Sequence, residues 1–397
     1  MNLTFLGTAS AQPSTTRNHS ALALRVGGDV WLFDCGEATQ RQIQKSTVKM
    51  GKITKIFITH THGDHIFGLA PLMASCMNGA GGTADGAEDE RLKTSPEDLK
   101  TLEIYGPLGT RAYVRSNLAY TRTLLEGRYV VHELRFPSDP PDGDYTSLPL
   151  HRCELPTGRN IPQTPPTDTP TPSVSYKNNT SPWMDIYKDS LISVSAAPIW
   201  HSVPCVGYAV TEAPVPVKMD PGAYIPLIKR AGAPMSVLSR IQRGEDVTLP
   251  DGTHLRGLGK RPGRKVVVLG DTYDASPIAD IAMDADVLVH EATNAHLPGL
   301  DPATKDTDTH ESVEKRTRSR GHSTPQVAGR FARRVRARKL ILNHFSARYR
   351  GDDDVNDEAR EVMGAIKSLA EQEFKGEVLC ARDFMSLDVE YFTDPAK

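Results

Sequence analysis

The sequence predicts an α/β fold, on three observations. Short runs rich in Val, Ile, Leu and Phe alternate with stretches of helical period. No long internal repeat orders the chain, so strands and helices alternate as they do around a sheet. Several apolar runs near the C-terminus end in polar, chemically capable residues. The 397 residues suffice for one large domain or two ordinary ones.

Residues 3–6 and 21–26 read as strands, and Val26-Gly27-Gly28-Asp29 as a hairpin turn into a third at 30–33. A helical pattern covers 37–45, a strand 53–59 and a helix-like segment 69–76. Residues 102–105 and 191–196 are further strands. Short apolar strands follow at 265–269, 286–290 and 339–343, and helices fit 324–338 and 355–373. Three stretches break the order: 79–100 is Gly-rich and then charged, 156–182 carries PQTPPTDTPTP, and 300–320 is polar and then basic. They read as surface insertions, partly disordered. Residues 212–263 combine Pro and Gly with periodic apolar residues such as Tyr224, Leu227, Ile228 and Ile241, and read as a small protruding subdomain with some helix.

Composition is ordinary, at 38% hydrophobic and 24% charged, which excludes fibrous or wholly disordered classes. A net charge of −2 confines any nucleic-acid site to a local patch. The five cysteines are scattered without a CxxC, against both a disulfide framework and a thiolate zinc site. No apolar run reaches the ~18 residues of a membrane span, and MNLTFLG enters a strand pattern without a targeting peptide. The expected location is intracellular, cytoplasmic or nuclear.

The stretch 57–68 reads FITHTHGDHIFG, three histidines and an aspartate within six positions after an apolar run. In extended chain, residues two apart point the same way. His60 and His62 can therefore converge on one ion, while Asp64 and His65 can face a second. Two ions need more ligands, and other strand ends offer them: His201, Asp271 and His344 each follow an apolar strand. A lone histidine at a strand end is more often a satisfied polar group than a ligand; the joint pattern favours ligands. Imidazole and carboxylate suit Zn²⁺, Mn²⁺ or Fe.

Around HTHGDH the sequence resembles the ribonuclease Z family, the tRNA 3′-processing endonucleases of the metallo-β-lactamase superfamily. The residues are Phe5-Leu6-Gly7-Thr8, Phe33-Asp34-Cys35-Gly36-Glu37 with Thr39-Gln40-Arg41-Gln42, His201 to Tyr208 (HSVPCVGY), Gly270-Asp271-Thr272, His290-Glu291-Ala292-Thr293, Gly321-His322-Ser323-Thr324, and Asn343-His344-Phe345-Ser346 with Arg348-Tyr349. The likeness runs from Met1 to about Asp383, the insertions excepted. It implies a single domain over 1–397, a four-layer αβ/βα sandwich, with 212–263 as a flexible arm, or exosite, that grips tRNA. It implies two zinc ions per subunit, with Mn²⁺ as the alternative. His60, His62 and His201 hold one ion, Asp64, His65 and His344 the other, and Asp271 bridges them.

The implied reaction removes the 3′ trailer from precursor tRNA, leaving a 3′-hydroxyl on the tRNA and a 5′-phosphate on the trailer. A pair of ions ~3.5–4 Å apart can stabilise both the attacking and the leaving oxygen. Asp64 would orient the attacking water and accept its proton. His322 resembles the family's proton donor, with Glu291 to orient it and keep it protonated. Ser323-Thr324-Pro325 also reads as a helix start, which accepts phosphate. Expected RNA contacts are Ser323, Thr324, Arg348, Arg17 in the PSTTRN loop, and Lys229, Arg230, Gly232, Pro234, Arg240 and Arg243 in the arm. The basic residues from Lys315 to Arg338 read either as a solvated helix face or as a phosphate track. The length matches the short form of the family, which implies a homodimer. The competing readings are a small-molecule phosphodiesterase on the same fold and a non-catalytic scaffold of an RNA-processing complex.

Overall fold

Apolar runs of period two build two sheets here, and their alternation decides what each strand faces. In the segment Lys265–Leu269, Val266 and Val268 enter one apolar cluster, while Val267 and Leu269 enter another on the opposite face. A strand buried on both faces reads as an unbroken apolar run, as KVVVL does.

The computed structural model describes residues 1–77, 100–165 and 180–391. One sheet has eight strands, in the spatial order Ser386–Asp388, Asn2–Gly7, Ala21–Val26, Asp29–Phe33, Ile53–Phe57, Thr101–Pro107, Arg128–Arg135 and Asn160–Pro162. The other has seven, in the order Glu377–Cys380, Lys339–Asn343, Val287–Glu291, Lys265–Leu269, Cys205–Glu212, Ile192–Ile199 and Trp183–Lys188. Between the sheets lie Phe33, Phe57 and Tyr105, stacked at 5.1 and 5.0 Å between ring centroids, against Tyr208, Trp183 and Val268. Each such side chain, fully buried, contributes on the order of 1.5–3 kcal/mol. On the outer face of the first sheet, the helices Leu69–Cys76 and Thr110–Tyr120 bury Leu72, Met73, Val114 and Leu118. On the outer face of the second, Pro325–Arg334 and Asp357–Glu371 bury Ala328, Phe331, Ile366 and Ala370. The result is the expected four-layer αβ/βα sandwich.

The neighbouring strands Asp29–Phe33 and Ile53–Phe57 run parallel, as do Lys265–Leu269, Val287–Glu291 and Lys339–Asn343. Their C-terminal ends therefore open at common edges, where ligand sites of open α/β sheets form. The hairpin at 26–29 is present, with Gly27 at φ 59°.

Two expectations change. Residues 300–320 are not simply a surface insertion. Asp301 is buried and accepts Arg348 Nε–H and the Tyr349 hydroxyl, each at 2.9 Å. A helix over His310–Arg318 follows, started by a reciprocal Thr309–Ser312 capping box. Polar composition suggested solvation, but these groups bond to one another and to the 346–349 turn. Residues 156–182 contribute a strand, Asn160–Pro162, at the sheet edge; their 166–179 portion lies outside the described residues, as do 79–99 of the insertion expected at 79–100. Residues 212–263 leave the second sheet between strands that pair directly, Thr211 against Lys265. They form the helices Pro221–Arg230 and Val237–Gln242, a short hairpin of Val247–Thr248 with His254–Leu255, and a pairing of Val215–Pro216 with Lys260–Arg261 at their base, around a core of their own with Ile228, Val237, Ile241 and Leu255.

Candidate metal centre

Five of the seven expected ligands sit at or just beyond strand ends of the two sheets. Thr59, His60 and His62 follow Ile53–Phe57, and Asp64 and His65 lie in a helical turn, Gly63–Ile66. His201 follows Ile192–Ile199, Asp271 follows Lys265–Leu269, and His344 follows Lys339–Asn343. His344 has φ 55°, a left-handed conformation rare for a non-glycine residue and common at functional sites. The Tyr208 hydroxyl ties the sheets together here, donating to Ile58 O at 2.6 Å.

The side chains converge into two groups that share one residue. His60, His62, His201 and Asp271 form the first, and Asp64, His65, Asp271 and His344 the second, each with its ligand atoms within 4.8 Å of one another. In the first, His62 Nδ1 lies 3.1 Å from His60 Nε2 and 3.3 Å from His201 Nε2. In the second, His65 Nε2 and His344 Nε2 are 3.1 Å apart, and each is 3.3 Å from Asp271 Oδ1. Asp271 Oδ2 turns to the first group, 3.8 Å from His60 Nε2 and 3.9 Å from His201 Nε2. Asp64 Oδ2 completes the second, 3.4 Å from His344 Nε2.

These spacings fit metal ions. A tetrahedral site with bonds of about 2.0–2.1 Å has ligand-to-ligand edges of about 3.3 Å. In His60, His65 and His201 the other ring nitrogen is bonded elsewhere, which fixes the ligating nitrogen. His65 Nδ1–H donates to Asp34 Oδ2 at 2.7 Å, His201 Nδ1–H donates to Gly321 O at 2.7 Å, and His60 Nδ1 lies 3.1 Å from the Thr59 hydroxyl. Burial is the main force holding His60 neutral, well below the ordinary histidine range. Burial acts against charge on His65 too, but Asp271 and Asp34 outweigh it and raise its pKa. Burial also opposes charge on Asp271, and His344 and His65 overcome it, keeping the carboxylate ionised.

Beside this centre, His322 Nδ1–H donates to Glu291 Oε1 at 3.0 Å and lies 3.8 Å from Asp271 Oδ2. Burial disfavours its charge, but Glu291 and then Asp271 and Asp64 raise the pKa to about 9. Glu291 is buried and held by the Thr272 N–H at 2.9 Å and the Thr293 hydroxyl at 2.6 Å. A proton donor and its anionic partner thus sit within reach of the group that both candidate sites share.

The chain is 33% identical to zinc phosphodiesterase ELAC protein 1 of Homo sapiens over 399 residues, 98% of each chain. It is 33% identical to ribonuclease Z of Crocosphaera subtropica over 402 residues, again 98% of each. The chain belongs to the ribonuclease Z family. Among solved structures, human tRNase Z, short form, superposes with a TM-score of 0.58 at 29% identity, covering 98% of this chain and 100% of that one. YhfI of Bacillus subtilis, a metallo-beta-lactamase fold protein, shares the fold at a TM-score of 0.51 and 18% identity, covering 97% and 98%. A family model, Anti-Pycsar protein Apyc1, matches residues 1–81, the segment that carries HTHGDH.

Within this family framework, the expected RNA contacts fare unevenly. Arg17 is buried, and its guanidinium donates to Tyr349 O, Thr8 Oγ1 and Ala381 O at 2.7 to 2.9 Å. It pins the PSTTRN loop to the C-terminal strands and offers no surface to RNA. Arg348 is tied to Asp301, Ser346 and Asn294. Ser323 is buried and donates to Thr272 O at 2.6 Å; Thr324, also buried, precedes the helix as its cap residue without a side-chain cap bond. Within residues 212–263, Lys229, Arg230, Gly232, Pro234, Arg240 and Arg243 are exposed, with Arg240 and Arg243 paired to Glu245. On the basic helices Arg316 pairs with Asp308 and Arg330 with Glu314, and in the turn after the second Arg336 pairs with Asp284. Internal neutralisation there favours the solvated-face reading over a continuous phosphate track.

The residue role that motif reading passed over is Asp34. Its Oδ1 accepts the Thr59 N–H at 2.7 Å, and its Oδ2 accepts the Thr59 hydroxyl and His65 Nδ1–H. The available signal was the one that found Asp271, an apolar strand, VWLF, ending in an acid.

Proposed function

We propose that this chain is a zinc-dependent endoribonuclease that removes the 3′ trailer from precursor tRNA, leaving a 3′-hydroxyl on the tRNA and a 5′-phosphate on the trailer. One observation carries the reading: two ligand groups share Asp271, with a charged His322–Glu291 pair beside them. His60, His62 and His201 would hold one ion, Asp64, His65 and His344 the other, with Asp271 between them. Zinc suits the donor set, and Mn²⁺ is the alternative. Bound there, two ions per chain supply positive charge that activates water and stabilises the phosphate oxygens.

The protein's own groups do the rest. Asp64 is fixed by the Ala11 N–H at 2.8 Å on Oδ2. It orients the attacking water and takes its proton. His322, kept protonated by Glu291, gives its proton to the departing 3′ oxygen. Residues 212–263 form the arm that grips the RNA away from the reacting phosphate, using Lys229 and Arg230 around the Gly232–Pro234 turn. The whole chain forms one domain, and pairs as a homodimer like the short form it matches in length.

The test uses purified protein, zinc and a precursor tRNA with a 3′ trailer, followed by analysis of both product ends. The expected products are a tRNA with a 3′-hydroxyl and a trailer with a 5′-phosphate. Hydrolysis of small diesters without tRNA cleavage would identify a small-molecule phosphodiesterase instead. Activity on neither would leave the scaffold.

A further inference from the structure

His322 borders a second space, a cavity of about 240 Å³ lined by Tyr273, Asp274, His290, Arg318 and Phe331 among others. That is below the ~300 Å³ at which clefts for drug-sized ligands begin, and is the scale of one nucleoside. Three features show what it is built to hold.

The first is an unpartnered buried atom. His290 is fully buried, and its Nδ1–H donates to Glu291 O at 2.8 Å. Nε2 therefore keeps its lone pair, and it has no hydrogen-bond partner among the described residues. A buried acceptor left empty costs free energy unless something else satisfies it.

The second is a stacking platform. The Tyr273 ring is half-buried, with the Arg318 guanidinium 5.1 Å from its centroid. Arg318 is exposed and makes no ion pair among the described residues, whereas Arg316 and Arg330 on the neighbouring positions are each paired to a carboxylate. An unneutralised guanidinium beside an aromatic face is the pairing that holds a nucleobase by stacking and a phosphate by charge.

The third is position. Tyr273 is two residues from Asp271, and the intervening Thr272 N–H holds Glu291. His322 faces both the cavity and Glu291. If His322 protonates the departing 3′ oxygen, the nucleoside bearing that oxygen must lie on the His322 side.

We infer that this cavity seats the nucleoside that carries the leaving oxygen, the last one retained on the tRNA, with its base against Tyr273, its phosphate beside Arg318 and a donor group on His290 Nε2. This rests on the endonuclease reading above. It places one flanking nucleotide in a pocket of its own. Stacking is tolerant of base identity, so the pocket positions the strand without demanding a sequence.

The experiment places 2-aminopurine in precursor tRNA, either at the last retained nucleotide or at the first trailer nucleotide. Binding to the zinc-loaded protein is followed by stopped-flow fluorescence, ahead of cleavage. Quenching is expected at the retained position alone. Tyr273→Leu should abolish it and lower kcat/KM for precursor tRNA roughly 5- to 100-fold, while Tyr273→Phe, which keeps the ring, should retain both. Arg318→Ala should weaken binding and reduce its salt dependence. Thermal unfolding of each variant checks that the fold is kept. Quenching that survives Tyr273→Leu, or that appears at the trailer position, would overturn the assignment while leaving the endonuclease intact. Failure of the wild-type protein to cut the RNA at all would remove the functional reading and this inference together.

Discussion

Asp34→Asn probes how the metal centre is held together without touching a candidate ligand. Asp34 sits at φ 60°, a conformation that Asn also tolerates, so the backbone has no reason to move. The carboxylate takes three hydrogen bonds, from Thr59 N–H, the Thr59 hydroxyl and His65 Nδ1–H, at 2.7 to 2.9 Å. The Thr59 hydroxyl in turn lies against His60 Nδ1. A single side chain thus orients one ligand in each group. An amide has one oxygen and one NH₂, and whichever way it turns, the NH₂ meets a donor. One buried donor loses its acceptor, at about 1–3 kcal/mol. Loss of the charge also weakens His65 as a ligand; changes of this kind typically cost about 10–100-fold in metal affinity, or about 1.4–2.7 kcal/mol. The assay is zinc competition against a chromophoric chelator, with thermal unfolding measured with and without zinc. The variant should fold, unfold at lower temperature, and bind zinc about 10–100-fold more weakly. Wild-type zinc affinity beside a lowered Tm would refute the reasoning and leave Asp34 a purely structural residue.

His322→Ala should slow cleavage by about 10²–10⁴-fold while RNA binding changes little; a defect confined to binding would make His322 a phosphate contact. The raised pKa of His322, about 9 against an ordinary 6.5, means its proton is fully held below about 6.5 and lost as pH rises through 9. Activity should therefore fall on the alkaline side, at or below pH 9, since bound cations pull the value down. Glu291→Gln should shift that limb to lower pH, and an unmoved pH–rate profile would break the pairing. Replacing residues 214–262 with a short Gly/Ser linker should raise KM for precursor tRNA far more than for a small chromogenic diester; equal losses on both would mean that the segment supports the core. Arg17→Ala should cost at least about 3 kcal/mol, because several buried carbonyl groups lose a charged donor; normal stability with impaired RNA binding would return Arg17 to the RNA surface.

The parts of the site that were legible in the sequence are those where local chain geometry suffices. An apolar run that stops at His or Asp places that residue at a strand end, and His60, His201, Asp271 and His344 all followed that rule. The strand Arg128–Arg135 is absent from the sequence reading, since Arg128, His132, Glu133 and Arg135 break its apolar run. Glu133 is in fact buried and accepts the Gly109 and Arg111 backbone N–H groups, each at 3.0 Å. Such pairing is decided by partners distant in sequence, which no local pattern displays. The same reason hid the true place of Arg17, whose partners Tyr349 and Ala381 lie more than 300 positions away. Residues 300–320 misled by composition, since acids and arginines that neutralise each other read as solvated when seen one at a time.

The central claim, that Asp271 joins two ion sites, is tested most directly by counting ions. Wild-type protein and Asp271→Ala, each saturated with zinc and freed of excess, go to elemental analysis alongside an activity measurement on precursor tRNA. The account predicts two zinc ions per chain in the wild type, and at most one with most activity gone in the variant. A single ion in the wild type, or two ions and near-normal turnover in Asp271→Ala, would contradict it.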